Sequence, residues 1–160
     1  MIVDANILLF AQDDSSPHHE LSRQFLTVAL NGTARVGLPW PSLIAFLRIR
    51  TNPRAYARPL SPVEAWQHVL DWLAAPAAWV PVPTERHADV VGGLVQRYQL
   101  RAGLFSDVHL AALAIEHGVS VCSADTDFAR FTELRWINPA GGVAPRPSGS
   151  GGVGGIDHTI

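Results

Sequence analysis

The chain has 160 residues, 48% of them apolar and 16% charged, with a formal net charge of −2. That length suits one domain with enough apolar material for a real core, and so small a net charge exerts no global pull on nucleic acid or an anionic membrane. All twelve cationic side chains are arginine; without lysine there is no Walker P-loop and no Schiff-base chemistry.

In chain order, "MIVD" is a short apolar run closed by an acid, and "ANILLFAQ" turns directly into a helix. The start lacks a basic n-region and Asp4 interrupts the apolar run, so it is a poor signal peptide. No apolar stretch reaches the ~18 residues of a membrane span; a cytoplasmic chain without membrane contact is expected. Pro17, an early glutamate and a glycine stop predict a helix over 17–31, with His18 and His19 exposed at its start. "ARVGLPW" reads as a second strand.

From residue 41 the pattern is helical until Pro53 breaks it. Ser61, Pro62 and Glu64 form a capping box with proline in the first turn of the next helix. Its wheel groups Val63, Trp66, Val69, Leu70 and Leu73 on one apolar face and Glu64, Gln67, His68 and Asp71 on the other, with Trp72 beyond the edge of the apolar stripe. "WVPV" reads as a third strand and 85–98 as a helix. "SDVHLAALAIEHG" (106–118) has a serine cap, an acid in its first turn and a glycine stop, and is apolar enough to be buried. "VSVCS" is the fourth strand, and its single cysteine, Cys122, reads as a buried inert thiol that allows no intrachain disulfide. "LRWINP" supplies a possible fifth strand. Residues 140–160 shift to Gly, Pro, Ala and Ser, the composition of a flexible tail, leaving 1–139 as the folded domain. Strands alternating with helices predict an α/β fold: a mostly parallel sheet of four to five strands, helices on both faces, strand 1 central.

The acids then fall into a pattern. Asp4 ends strand 1, Asp125 and Asp127 follow strand 4, and Asp107 opens the helix that leads into strand 4. Any one of them alone reads better as a helix cap or first-turn acid; it is their coincidence at one end of the layers that points to a site. Ligands of open parallel sheets bind outside the carboxyl ends of the strands, so if that helix packs beside strand 1, all four meet at one edge. Two carboxylates ~4 Å apart repel by roughly 4 kcal/mol at an effective dielectric near 20, and a hard dication such as Mg²⁺ or Mn²⁺ resolves such a cluster. Glu116 lies about 180° around the helix from Asp107, Glu64 belongs to the capping box, Asp13 and Asp14 read as a solvated loop, and the seven histidines form no ligand set.

"MIVDANILLF", "LPWPSLIAFLRIRTNPR", "SDVHLAALAIEHG" and "CSADTDFARF…LRWINP", in this order across 1–139, resemble the PIN-domain ribonucleases, above all the VapC toxins of VapBC toxin–antitoxin pairs. The resemblance implies a three-layer α/β/α PIN-like fold. It also implies a Mg²⁺- or Mn²⁺-dependent endoribonuclease, commonly dimeric, leaving 3′-hydroxyl and 5′-phosphate ends and neutralised by a VapB-like antitoxin. By motif position, Asp4, Asp107 and Asp125 match the family's catalytic and metal-binding acids, Asp127 a supporting acid, and Asn6 a residue that orients Asp4. One departure stands out: the helix that carries a further glutamate in many PIN domains offers Ala45 and Phe46 here. That absence motivates a competing reading, a PIN-like module that binds RNA or antitoxin without cutting. A phosphoaspartyl enzyme or receiver domain, the other rival, fails on the missing lysine. Arg48, Arg50, Arg54 and Arg58 are candidates for phosphate contacts, although they cannot form one helical row and read equally as solvated arginines.

Overall fold

The computed structural model describes residues 1–98, 100 and 102–139; the glycine- and proline-rich segment 140–160 lies outside them. Five short strands, β1 (Ile2–Val3), β2 (Val36–Gly37), β3 (Ala78–Trp79), β4 (Val121–Cys122) and β5 (Trp136–Ile137), pair in parallel in the order β3-β2-β1-β4-β5. Six α-helices connect them: α1 (Ala5–Gln12), α2 (His19–Leu30), α3 (Trp40–Arg50), α4 (Pro62–Leu73), α5 (His87–Tyr98) and α6 (Phe105–Glu116). The chain grows from β1 through β2 to β3 on one side, then crosses to β4 on the other. The order therefore reverses between β1 and β4, where open α/β sheets place their ligands.

Alternation along the strands separates two cores. Ile2 and Val121 face one side, with Leu94, Val108, Ala112, Phe128 and Phe131. Val3 and Cys122 face the other, with Ile7, Leu8, Leu26, Leu43, Phe46 and Trp72. Successive strand side chains point to opposite faces, so α1–α4 cover one surface and α5–α6 the other. This is the three-layer α/β/α arrangement with β1 central. Close packing also explains Gly37: a Cβ there would stand 2.7 Å from Ile2 Cδ1 and 3.2 Å from the Met1 carbonyl.

Local signals set several boundaries as expected. Ser61 and Glu64 form both halves of the capping box. Gly118, at φ +64°, ends α6 in a Schellman arrangement: its N–H donates to the Ile115 carbonyl and the Val119 N–H to Ala114. Other expectations shift. α6 starts at Phe105 after Leu104, which makes no side-chain cap bond, so Ser106 sits inside the helix rather than capping it. α2 begins at His19, and both His18 and His19 are half-buried, His19 Nδ1 lying 3.0 Å from the Phe10 carbonyl.

The helix α4 is rotated from its expected phase. Ala65, Val69 and Trp72 are its buried residues. Val63, Trp66 and Leu70 are 79%, 41% and 42% exposed. The reason lies in the neighbour: Phe46 of α3 takes Trp72 edge-on at 4.8 Å, and Ala65 is small enough for close helix approach. Trp66 instead stacks on Trp40 at 6.5 Å. With Ile44, 54% exposed, these side chains form an apolar strip on the outside of α3 and α4. Among the described residues no helix is long and apolar enough to cross a membrane.

Candidate active site

Both arms of the site follow from strand register. Ile2 pairs with Val121 and Val3 with Cys122, so the next residues, Asp4 and Ser123, emerge side by side at the carboxyl ends of β1 and β4. Ser123 is fully buried. Its Oγ donates to Asp4 Oδ2 at 2.7 Å and accepts from the Asp125 N–H at 3.0 Å. Asn6 Nδ2 donates to Asp4 Oδ2 at 2.8 Å and to Ser123 Oγ at 2.9 Å, while its Oδ1 accepts from the Ala124 N–H at 3.1 Å. The other oxygen of Asp4 accepts from the Ala5 N–H at 2.6 Å, so Asp4 also caps α1. Three donors and the start of a helix, which favours negative charge, hold this carboxylate in one orientation. Burial nevertheless raises its pKa, and the charge of Asp125 adds to the rise against the lowering hydrogen bonds.

Asp125 caps the 3₁₀ turn Thr126–Arg130, its Oδ1 accepting from the Asp127 N–H at 2.8 Å. The opening of α6 brings Asp107 to the same place. One oxygen each from Asp107, Asp125 and Asp127 lie within 4.8 Å of one another. The Asp107 pKa is pushed up to about 6, first by burial and then by Asp125, Asp4 and Asp127, with Arg130 acting in the opposite direction. Asp4 and Asp125 therefore do two jobs, each capping a helix and each adding charge to the site, whereas Asp107 and Asp127 lie within first turns that other residues begin.

This donor set fits a hard dication. Every ligand atom is an anionic oxygen, the preference of Mg²⁺, Mn²⁺ or Ca²⁺. Oxygens on one octahedral Mg²⁺ stand roughly 3–4 Å apart, so the observed spread closes with small side-chain rotations. The tightest trio, however, contains Asp127 where Asp4 was expected. Asp4 stands beside it, near enough to repel Asp107 and Asp125, but is held back by Ser123, Asn6 and Ala5.

Other candidates lie elsewhere. Glu116 accepts from the Thr84 N–H at 2.9 Å and pairs with His87 at 2.6 Å, and His87 in turn meets His109 at 3.0 Å, on the α5 side of α6. In α3, where many PIN domains carry glutamate, Phe46 is fully buried against Trp72 and Ala45 is half-buried, so neither offers an acid to the site. Burial pushes the Cys122 thiol up to about 12, leaving it inert at neutral pH. The arginines 48, 50, 54 and 58 are not brought to the acids: Arg48 and Arg50 occupy the last turn of α3, a helix that starts at the acidic edge and runs away from it. Arg50 is only 8% exposed, its Nη1 donating to the Arg58 carbonyl at 2.9 Å and its guanidinium lying 4.5 Å over Tyr56. It holds the loop rather than facing solvent. Arg58 pairs with Asp14 at 3.6 Å.

Two side chains of the site went unread in the sequence. Ser123 is legible only through the β1–β4 register. Arg130, held to the Asp127 carboxylate through Nη2 and to its carbonyl through Nε at 3.1 Å, was signalled by its spacing of three from Asp127 within one turn.

Comparison with known proteins identifies the family and the fold. The PIN domain family matches residues 1–134. Ribonuclease VapC37 of Mycobacterium tuberculosis (strain ATCC 25618 / H37Rv) is 46% identical over 138 residues, 86% of this chain and 96% of that protein. Ribonuclease VapC33 of the same strain is 38% identical over 139 residues, 87% and 97% of the two chains. Among solved structures, VapBC2 from Rickettsia felis, bound to a DNA fragment from its promoter, superposes with a TM-score of 0.62 at 13% identity, over 86% of this chain and 96% of that one. VapC20 of Mycobacterium tuberculosis, a sarcin–ricin loop cleaving toxin, superposes with a TM-score of 0.58 at 17% identity, over 84% and 98%. With the parallel five-stranded sheet, the acids at its reversal point and these relatives in agreement, the chain belongs to the PIN-domain family, among the VapC ribonucleases.

Proposed function

We infer that this chain is the ribonuclease toxin of a toxin–antitoxin pair and hydrolyses RNA phosphodiester bonds with the help of Mg²⁺ or Mn²⁺. The observation that carries the reading is the convergence of Asp107, Asp125 and Asp127 within 4.8 Å, beside the fixed carboxylate of Asp4. A dication held there supplies Lewis acidity, lowering the pKa of water and neutralising charge that develops on phosphodiester oxygens. The chain's own contribution is preorganisation. Ser123 and Asn6 fix Asp4, the 3₁₀ turn fixes Asp125 against the Asp127 N–H, and the first turn of α6 delivers Asp107. With a pKa of about 6, Asp107 is mostly ionised and able to ligate at neutral pH. Flanking phosphates of a longer RNA would reach the exposed Arg48, Arg54 and Arg58.

The apolar strip of Trp40, Ile44, Val63, Trp66 and Leu70 supports a protein partner on α3 and α4, since contiguous exposed apolar side chains mark interaction surfaces. In this reading that surface serves the antitoxin and a second copy of the chain. The missing acid at Ala45 and Phe46 motivates one rival, a module that binds RNA or antitoxin without cutting.

One experiment separates the two. The purified antitoxin-free protein is incubated with bulk tRNA and ribosomal RNA, in Mg²⁺ or in chelator, beside Asp107→Asn. Metal-dependent fragments that vanish in the variant support the nuclease; retention of RNA without fragments supports the module.

A further inference from the structure

Four aspartates surround the site, and one dication balances only half of their charge. A phosphodiester entering it adds another negative charge, which a protein cation at the same place would help to hold. The open cavity over the acids, about 640 Å³, is lined by Gly103, Leu104, Asp107, Asp125, Asp127 and Arg130. Arg130 is its one cationic lining residue among those described.

The guanidinium is set for this task. Its Nη2 and Nε are both committed to Asp127, the first to the carboxylate and the second to the carbonyl, so one edge of the fork is anchored to the loop. Nη1 makes no hydrogen bond among the described residues, and the side chain is 34% exposed. As a stabilising contact the Arg130–Asp127 pair is weak, because an exposed ion pair three residues apart contributes little in water. Held in place beside the acids, however, a planar, permanently charged fork with free N–H groups is suited to a phosphate oxygen.

We propose that Arg130 is a substrate-contacting residue, its free Nη1 edge binding the RNA phosphate that sits over Asp107, Asp125 and Asp127. The inference rests on the nuclease reading of the same site. It assigns the phosphate contact at the reaction centre to the 3₁₀ turn after β4 instead of Arg48, Arg50, Arg54 and Arg58 at and beyond the end of α3.

The test uses the full chain and two readouts. Bulk tRNA and ribosomal RNA are cut under single-turnover conditions across a range of NaCl, giving the protein concentration at half-maximal rate. Mg²⁺ affinity is measured separately by calorimetry without RNA. Arg130→Met is expected to raise the half-maximal concentration about tenfold and to flatten its salt dependence by roughly 0.7 in log–log slope, the value for one phosphate of a single strand. Its Mg²⁺ affinity should equal or exceed that of the unchanged protein, because a repelling cation has been removed. Arg130→Lys should restore the salt slope. An unchanged slope and half-maximal concentration in Arg130→Met overturns the inference. So does a tenfold loss of Mg²⁺ affinity, which would mean that Arg130 acts by shaping Asp127. If the unchanged protein leaves the RNA intact in Mg²⁺, the nuclease reading itself fails and the phosphate contact falls with it.

Discussion

The acid cluster should destabilise the metal-free protein, and Asp107→Asn should relieve it. Asp107 has a folded pKa of about 6 against an ordinary value of 3.8. Between these values the folded state holds a proton that the unfolded state has released, so stability falls as pH rises through that window and stays reduced above it. At 1.36 kcal/mol per unit the full shift amounts to about 3 kcal/mol. Asp107 is only half-buried, and solvent screening brings the expected effect nearer ~1 kcal/mol. Urea unfolding in EDTA should therefore find Asp107→Asn more stable than the unchanged protein by ~1 kcal/mol at pH 8, with the gap shrinking as pH falls toward 4. Millimolar Mg²⁺ at pH 8 should reverse the order, because a ligand that binds only the folded state stabilises it by mass action and the variant has lost one ligand. Equal stabilities in EDTA at pH 8, or equal gains from Mg²⁺ in both proteins, would refute the picture of repelling acids held for a dication.

Ser123→Ala removes the buried hydroxyl that joins Asp4, Asn6 and the Asp125 N–H. We expect a stability loss of roughly 1–3 kcal/mol for the groups left unpaired, read by denaturant titration, together with weaker Mg²⁺ binding by calorimetry. Gly37→Ala drives a methyl group to 2.7 Å from Ile2 Cδ1 and should cost ~1–3 kcal/mol by overpacking, measurable as a lower urea midpoint. If a second copy docks on the strip as proposed, Trp66→Ser combined with Leu70→Ser should lower the concentration-dependent mass in sedimentation velocity, at a cost of roughly 1–3 kcal/mol in unfolding because both side chains are more than half buried. Concentration-dependent mass equal in the double variant and the unchanged protein would remove the strip from such an interface.

The legible parts of this protein are those whose physics is local. Asp4, Asp107, Asp125 and Asp127 could be placed at element ends because an apolar run, a capping acid and a glycine stop lie within a few residues of each other. The capping box at Ser61 and the left-handed Gly118 are decided the same way, by backbone groups of adjacent residues. Helix phase was not legible. On α4 the wheel pointed Val63, Trp66 and Leu70 inward, since hydrophobicity alone ranks them with Val69; the structure turns them outward. An apolar residue kept for a partner and one kept for the core look alike in sequence.

By itself the sequence determined the alternation of strands and helices and the chain positions of the acids. Tertiary structure alone decided which of them approach most closely, putting Asp127 into the tightest trio and tying Asp4 to Ser123. That bond spans 119 residues and exists because β1 and β4 pair in one register. The same folding buries Arg50 far from the acids and leaves Arg130 beside them. The physical reason is that charge and hydrogen bonding act over a few ångströms of space, and only the packed sheet determines which distant residues share those few ångströms.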